Sequence, residues 1–245
     1  MPQAPKKRRR KSDKPILLLL QGASGKFAND IESYLIPRLG ELFEVRRRPD
    51  KRWKGWDPGK NATQVAGDMI PADGEQFFVM GFSFGARVAV SMAVSAAAAE
   101  GYMPAGIILM GYPLYGPKGT PERVEALEAL PTSLAVLAIS GDKDPFVTKN
   151  VPSADIAITA QQQQLMECNK VEALLRRCIL SESVDVRIVP RGSHSCFPSS
   201  SNNNGNKAKA ATTEKVVAWL QQFIIAVVAK KKKTPADSTV VQSFT

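Results

Sequence analysis

The stretch that decides the fold is FFVMGFSFGARVAVSMAVSAAAA, residues 77–99. Its first four residues are continuously apolar, which is typical of a strand buried on both faces of a parallel sheet. The turn Gly81-Phe82-Ser83-Phe84-Gly85 has the form G-x-S-x-G, and the alanine-rich segment after it predicts a helix over about 85–99. A serine between a strand and a helix indicates a nucleophile elbow, since glycines relieve crowding and the helix N-terminus directs N–H groups to the same place. The alternative is an ordinary turn in which Ser83 only caps the helix.

The same rhythm of strand, turn and helix repeats along the chain. Apolar runs predict six strands, over about 16–20, 42–45, 77–80, 107–110, 134–139 and 184–189. Helical spacing predicts helices over about 27–35 with Pro37 marking the end, then 63–70, 85–99, 159–178, and 214–229 after a Thr213 cap. The low-complexity segment 199–206 is expected to be a loop. Alternating strands and helices predict an α/β fold, with a mostly parallel, doubly wound sheet of about six strands and helices on both faces.

The composition indicates one globular domain. Of the 245 residues, 44% are hydrophobic and 23% are charged, which is enough for a single sizeable core. No stretch reaches the roughly 18 unbroken apolar residues of a membrane-spanning helix. Gln221 and Gln222 interrupt the apolar run of the last predicted helix, which is therefore expected to pack on the core. The apolar run 16–20 is too short for a secretory signal, so we expect neither a membrane partner nor secretion.

The net charge of +10 is concentrated at the two ends of the chain. Residues 1–14 carry +6 and residues 230–245 carry +3, which leaves +1 for the body, 15–229. We expect disordered basic tails around one folded domain. A nearly neutral body argues against a nucleic-acid footprint on that domain. The basic run 6–11 predicts a nuclear import signal or a polyanion-binding tail, hence a nuclear or cytoplasmic location with protein partners at the tails.

Cysteine and histidine usage limits redox and metal chemistry. Cys168 and Cys178 fall on one predicted helix about 15 Å apart, which is too far for a disulfide. The odd count, completed by Cys196, fits a reducing compartment. With a single histidine in the chain, we expect neither a metal site nor a cofactor.

A serine nucleophile needs a base, and His194 is the only histidine. The base needs a carboxylate that holds its tautomer and stabilises the imidazolium. The turn after the fifth predicted strand offers Asp142 and Asp144. We favour Asp144, with Asp142 as a turn residue. Because Ser83, Asp144 and His194 each follow a separate strand, they should meet at the carboxyl edge of the sheet.

An acyl-transfer site also needs two N–H donors for its oxyanion. Phe84 supplies one at the elbow. The GASG loop after the first strand supplies the other, from Ala23 or, failing that, Ser24. Tyr112 and Tyr115, in the loop after the fourth strand, are candidates for lining the substrate pocket. No long lid insertion is visible in the sequence, so we expect an open pocket for short acyl groups.

The loop after the second strand is both basic and aromatic. Residues 46–54 contain six Lys or Arg and one Asp, next to Trp53 and Trp56. This composition is compatible with a phosphate or nucleic-acid contact, or with a rim that favours anionic substrates. The interpretation we favour is a solvated loop whose tryptophans pack on the domain.

These segments resemble the α/β-hydrolase superfamily and, within it, the dienelactone-hydrolase-like branch. The resemblance is carried by GASG, VMGFSFGARVA, GYPLYGPKGTPERVEALEAL, LAVLAISGDKDPF and RGSHS. The chain is most similar to the small-hydrolase-like family that includes testis-expressed protein thirty and the third subunit of the nuclear NSL chromatin complex. The resemblance implies an α/β-hydrolase fold and catalytic roles for Ser83, Asp144 and His194. Dienelactone hydrolases use cysteine where this chain has Ser83, so their substrate is not implied.

Two functions remain as expectations. The first is a serine hydrolase that cleaves a small carboxylic ester or thioester through an acyl-enzyme, with Ser83 attacking, His194 moving the proton and Asp144 orienting His194. The second is a catalytically silent interaction module on the same fold, in a nuclear or chromatin complex, which the basic tails and the resemblance favour.

Overall fold

A computed structural model describes residues 14–49, 51–71, 75–99, 102–116, 123–148, 160–199 and 203–233. Of the two predicted tails, only Lys14 and residues 230–233 fall within this part of the chain. The disorder expected for the rest of the tails lies outside the described residues and stays a prediction.

Six parallel strands form one sheet in the order β2-β1-β3-β4-β5-β6. The strands are β1 Ile16–Leu20, β2 Glu44–Arg47, β3 Phe77–Phe82, β4 Gly106–Met110, β5 Ala135–Gly141 and β6 Val184–Val189. This confirms the fold class expected from the sequence. The strand order reverses between β1 and β3, and ligands of open α/β sheets bind in the crevice at such a switch point.

Helices connect the strands and cover the sheet. A π-helical turn, Ile31–Leu35, runs into α1, Ile36–Leu42. The other helices are α2 Pro58–Met69, α3 Phe84–Ala98, α4 Val124–Glu128, α5 Pro145–Thr148, α6 Ala160–Cys178 and α7 Asn203–Lys233.

Several of the predicted helix ends are wrong; α2, for example, begins at Pro58 rather than at about residue 63. Pro37 does not end a helix but lies in the first turn of α1, where its missing N–H costs nothing. The last helix begins at Asn203, inside the segment expected to be a loop, and continues to Lys233. Thr213 is therefore not an N-cap. Its hydroxyl donates to the carbonyl oxygen of Lys209 one turn earlier, at 2.9 Å.

Both faces of the sheet are buried because strand side chains alternate between two apolar layers. Leu18 and Val79 belong to a layer shared with α2, α3, α4 and α6. Leu17 and Phe78 belong to the opposite layer, shared with the π-helical turn, α1 and α7. Burial on both faces fixes the register of the strands. The loops at their carboxyl ends therefore start from rigid positions.

The last helix packs on the domain, as the sequence predicts. Val216 and Leu220 of α7 are fully buried against the sheet. Within the described ranges, no helix combines the length and apolar character needed to cross a bilayer. None of the three cysteines forms a disulfide with another described residue.

Candidate active site

Ser83 occupies the sharp turn between β3 and α3. Its backbone has φ 54° and ψ −116°, a conformation that residues other than glycine seldom adopt and that clusters at functional sites. A Cβ on Gly81 would lie 2.3 Å from the carbonyl oxygen of Gly85, and a Cβ on Gly85 would lie 2.2 Å from that of Leu20. Both glycines of the motif are thus required by close backbone approach. The Ser83 side chain makes no cap hydrogen bond to α3, which contradicts the simple-cap alternative.

Side chains from three strand ends form a continuous series of polar contacts. His194 Nε2 lies 2.8 Å from Ser83 Oγ, and His194 Nδ1 lies 2.9 Å from Asp144 Oδ2. The Asp144 side chain is fully buried, and that of His194 is 23% exposed. The series therefore runs from the interior to the surface, and the structure brings together the three residues singled out in the sequence.

The imidazole on the loop after β6 packs against two aromatic rings. A β-bridge between Gly192 and Pro198 closes this loop. The ring centroids of Phe146 and Phe82 lie 4.6 and 5.4 Å from that of His194. These contacts restrict the orientation of the imidazole. Sequence reasoning missed both phenylalanines, whose only signal is their adjacency to the predicted site residues.

The two aspartates after β5 have different partners. Asp144 Oδ1 accepts a hydrogen bond from the Phe146 N–H at 2.9 Å, while Oδ2 faces His194. Asp142 is also buried, but its Oδ2 lies 3.6 Å from the thiol sulfur of Cys168 on α6. The contact with the imidazole therefore belongs to Asp144.

This arrangement is able to move a proton. With its ring proton on Nδ1, His194 donates to Asp144 and accepts from the Ser83 hydroxyl. When the serine oxygen attacks a carbonyl carbon, the ring takes the hydroxyl proton and the carboxylate stabilises the resulting imidazolium. The chemical capacity of the site is thus that of an acyl-transfer centre.

The loops expected to bind an oxyanion touch each other. Phe84 opens α3, so its N–H lies at the end of a helix where backbone donors lack an intrahelical acceptor. The Gly85 Cβ position lies 2.2 and 2.6 Å from the carbonyl oxygens of Leu20 and Gln21, which lead into the loop containing Ala23. The assignment of the Phe84 and Ala23 N–H groups to an oxyanion stays a prediction.

The sequence matches the family model described as "Alpha/beta hydrolase domain" over residues 41–224, well over half of the chain. The chain belongs to the alpha/beta hydrolase family. No curated protein matches the sequence, so the narrower resemblance to dienelactone hydrolases and to the testis-expressed and NSL proteins stays a prediction.

Solved structures share this hydrolase fold. An uncharacterized protein from Bacillus cereus ATCC 10987 matches with a TM-score of 0.52 and 17% identity. The match covers 94% of this chain but only 64% of the length of that protein. A putative alpha/beta hydrolase from Agrobacterium tumefaciens has a TM-score of 0.51 and 16% identity, covering 89% and 88% of the two chains. A serine hydrolase involved in carbazole degradation has a TM-score of 0.53 and 12% identity, covering 87% and 91%. Identities this low show a common fold only.

The basic loop after β2 is bound to the loop after β1. We call its described residues, 48, 49 and 51–56, the strap. The indole N–H of Trp53 donates to the carbonyl oxygens of Gln21 and Gly22, at 3.1 and 2.9 Å. The Gln21 amide donates back to two strap carbonyl oxygens, at 3.2 and 2.8 Å. The Arg48 guanidinium carbon lies 3.9 Å from the centre of the Trp53 ring.

Close backbone contact completes the attachment of the strap. A Cβ on Gly25, whose φ is +78°, would lie 2.3 Å from the Lys51 carbonyl oxygen, so only glycine fits at this crossing. The prediction that the tryptophans pack on the domain holds for Trp53, which is 8% exposed, but not for Trp56, which is 71% exposed. Sequence reasoning did not reveal that the strap holds the candidate oxyanion loop.

Tyr112 lies in the core of the domain, which corrects the expectation that it lines a pocket. It is 2% exposed, and its hydroxyl donates to the carbonyl oxygen of Arg123 at 3.0 Å. Burial raises the pKa of this phenol to about 12. A side chain so covered offers almost no surface to a substrate. Tyr115 is half-buried, and its role as a substrate contact stays a prediction.

Two of the cysteine thiols are buried and are poor nucleophiles. Cys196 is fully buried, and its thiol donates to the carbonyl oxygen of Ile139 at 3.3 Å. Burial, assisted by the Asp144 carboxylate, raises the pKa of Cys196, and burial likewise raises that of Cys178. Both thiols stay protonated at neutral pH. Within the part of the chain that the structure describes, no three His, Cys, Asp or Glu side chains group as metal ligands would.

Proposed function

We propose that this protein is a serine hydrolase that cleaves small carboxylic esters or thioesters. The observation that carries the proposal is the series from Asp144 through His194 to Ser83, with contacts of 2.9 and 2.8 Å at the carboxyl edge of the sheet. Membership of the alpha/beta hydrolase family supports hydrolysis as the reaction class. The strained backbone of Ser83 supports its role as nucleophile.

The reaction runs in two halves through an acyl-enzyme. In the first half, Ser83 Oγ attacks the carbonyl carbon and His194 Nε2 accepts the hydroxyl proton. The bond to the leaving oxygen or sulfur then breaks, and His194 gives its proton to that group. In the second half, His194 takes a proton from the attacking water and returns it to Ser83 as the carboxylic acid leaves. The Asp144 carboxylate accepts the hydrogen bond from Nδ1–H in both halves.

The carbonyl oxygen gains negative charge in both halves. We assign its stabilisation to the N–H groups of Phe84 and Ala23, with Ser24 as the alternative second donor. The position of Phe84 at the start of α3 supports this assignment, because the positive end of the helix dipole stabilises negative charge at the same place as the N–H group. Loss of one such donor costs about 3 kcal/mol of transition-state stabilisation.

We assign short acyl chains to the substrate. The two phenylalanine rings in contact with His194 occupy part of the space beside the imidazole. The exposure of His194 leaves the site open to solvent rather than enclosed. Hydrolysis of p-nitrophenyl esters should therefore decline from acetate to octanoate. A rise along this series would overturn the short-chain assignment.

Labelling with a fluorophosphonate probe tests the proposed nucleophile. The probe should label the wild-type protein at Ser83, and Ser83→Ala should abolish both labelling and hydrolysis of p-nitrophenyl acetate. Ser95→Ala is a matched control, because Ser95 is exposed near the C-terminal end of α3, whereas Ser83 directly precedes that helix. It should keep full labelling. If folded wild-type protein is neither labelled nor active, the catalytically silent interaction module replaces the hydrolase.

A further inference from the structure

The strap brings positive charge to the rim of the proposed site. Residues 48–56 carry four Lys or Arg against one Asp, a net +3, although residues 15–229 carry only +1 in total. Hydrogen bonds from Trp53 to the carbonyl oxygens of Gln21 and Gly22 fix the strap beside the loop assigned to the oxyanion. This local charge therefore has a defined position relative to Ser83.

The cations of this region fall into two groups. One group is occupied inside the protein by ion pairs with glutamates or by the Trp53 ring, and consists of Arg46, Arg47 and Arg48. The other group is exposed and consists of Lys51, Arg52 and Lys54. Among the described residues, no acidic side chain forms an ion pair with this second group, so its charges are open to a ligand.

Trp56 adds an exposed aromatic ring beside these cations. At 71%, it is more exposed than any other large apolar side chain in the described ranges. Its ring lies 5.7 Å from that of Phe84 at an angle of 85°, and Phe84 directly follows Ser83. Most of the indole surface remains available for another ring to stack on.

We propose that the strap binds the phosphate-bearing leaving group of a nucleotide thioester. Lys51, Arg52 and Lys54 contact the phosphates, and Trp56 stacks on the base. This rests on the proposed function, because it names the leaving group for the same nucleophile. Ser83 Oγ bonds to the acyl carbon, the carbon–sulfur bond breaks, and the sulfur takes the proton from His194 and leaves as a thiol. Water then releases the carboxylic acid from the acyl-enzyme.

The strap fits this ligand better than a nucleic acid or a simple acid. Cations beside an aromatic ring bind phosphate and base together. The three residue steps from Lys51 to Lys54 reach at most about 10 Å, which is comparable to the length of a few phosphates. The nearly neutral body does not continue this charge into a groove for a polynucleotide. A simple carboxylate would use the cations but leave Trp56 without a role.

Two thioesters with the same acyl group test the proposal. Acetyl-coenzyme A and S-acetyl-N-acetylcysteamine share the reacting bond, but only the first carries phosphates and adenine. We expect kcat/KM of the wild type to be about fiftyfold higher for acetyl-coenzyme A, mainly through KM. Raising the ionic strength should reduce this preference, because salt screens exposed charges beyond about 8 Å at 0.15 M.

Variants of the strap should reduce the ratio of the two kcat/KM values. We expect a drop of about fivefold for the double variant Lys51→Gln/Lys54→Gln and of about tenfold for Trp56→Ala. Lys207→Gln/Lys215→Gln is the matched control, because both lysines are exposed on α7, which covers the opposite face of the sheet. The control should keep the wild-type ratio.

Calorimetric titration of coenzyme A into Ser83→Ala measures binding without turnover. The affinity of Ser83→Ala for coenzyme A should fall about fivefold when Lys51 and Lys54 are also replaced by glutamine. Equal kcat/KM for the two thioesters, an unchanged ratio in the double variant, or preferential binding of a duplex oligonucleotide would overturn the strap proposal while the hydrolase stands. If the wild type cleaves neither thioester nor p-nitrophenyl acetate and Ser83 is not labelled, the proposed function itself fails and the strap proposal fails with it.

Discussion

Replacing Asp144 by asparagine keeps the shape of the side chain and removes its charge. In the native protein, Oδ1 accepts from the Phe146 N–H at 2.9 Å, so the asparagine carbonyl oxygen takes that place and its amide faces His194. A donor facing Nδ1 makes Nδ1 an acceptor and moves the ring proton to Nε2. Nε2 then donates to Ser83 Oγ, 2.8 Å away, instead of accepting its proton.

The expected loss in Asp144→Asn is large and falls on kcat. In serine proteases with the same three groups, the equivalent loss of the correct tautomer costs about 10⁴-fold, and we expect about 10³- to 10⁴-fold here. This corresponds to about 4–5.5 kcal/mol of activation free energy. KM should change little, because Asp144 is fully buried and contacts His194 rather than the substrate.

Asp142→Asn supplies a matched control two residues away. Asp142 is equally buried but contacts Cys168 instead of His194, so kcat should stay within about threefold of wild type. Steady-state hydrolysis of p-nitrophenyl acetate and a thermal unfolding curve would be measured for both variants. The reasoning is refuted if folded Asp144→Asn keeps kcat within tenfold, or if Asp142→Asn loses as much activity at equal stability.

Three further predictions concern the surroundings of the site. Trp53→Phe removes the N–H that holds the loop after β1. For a neutral ester, kcat should therefore fall about tenfold at nearly constant KM. The free energy of unfolding in urea should fall by about 1–2 kcal/mol. Gly85→Ala should lower that free energy by more than about 3 kcal/mol, because its Cβ would meet backbone at 2.2 Å. Gly67→Ala, with nothing within 4 Å of its Cβ in α2, should instead add about 0.5–1 kcal/mol. For Tyr112, a folded-state pKa of about 12 means that the unfolded phenol ionises first as the pH rises. Its stabilising contribution is complete below about pH 10 and is lost towards pH 12, so Tyr112→Phe should remove about 2–3 kcal/mol of the alkaline loss measured by urea unfolding.

Each of these has an outcome that contradicts it. For Trp53→Phe, an unchanged kcat alongside lost stability would show that the indole supports the fold but not the loop geometry. Equal unfolding free energies for Gly85→Ala and Gly67→Ala would contradict the close approach at the elbow. Identical alkaline unfolding profiles for Tyr112→Phe and wild type would show that the phenol does not titrate differently on folding.

The strands could be predicted from the sequence because burial on both faces leaves a direct signal. A strand such as Ile16–Leu20 reads as an unbroken apolar run, and the turn at each carboxyl end is marked by small or charged residues. Helix ends were less predictable. The segment after Asn203 is rich in residues that disfavour helices, yet it is helical because tertiary contacts such as the Lys209–Asp30 ion pair, at 2.9 Å, hold it on the domain.

The polar residues of the site could be predicted because chain order and strand ends restrict where they meet. A single histidine left no choice of base, and the contact between His194 and Asp144 supports Asp144 over Asp142 as its acidic partner. The strap could not be predicted in the same way. Its contacts join residues 27 to 32 positions apart, such as Gln21 with Arg48 and with Trp53, and no local pattern encodes such pairs.

The topology separates the groups that would break the bond from those that would select the substrate. Ser83, Asp144 and His194 follow β3, β5 and β6, and the candidate oxyanion loop follows β1 at the switch point, whereas the strap follows β2 at the edge of the sheet. Parallel pairing of β1 with β2 is what places the strap beside that loop. Substitutions on the exposed side of the strap should therefore leave the proton-transfer residues unchanged. Substitutions of Trp53 should instead lower the rate, because they release the oxyanion loop. Substrate preference and rate should consequently respond to different residues of one nine-residue segment.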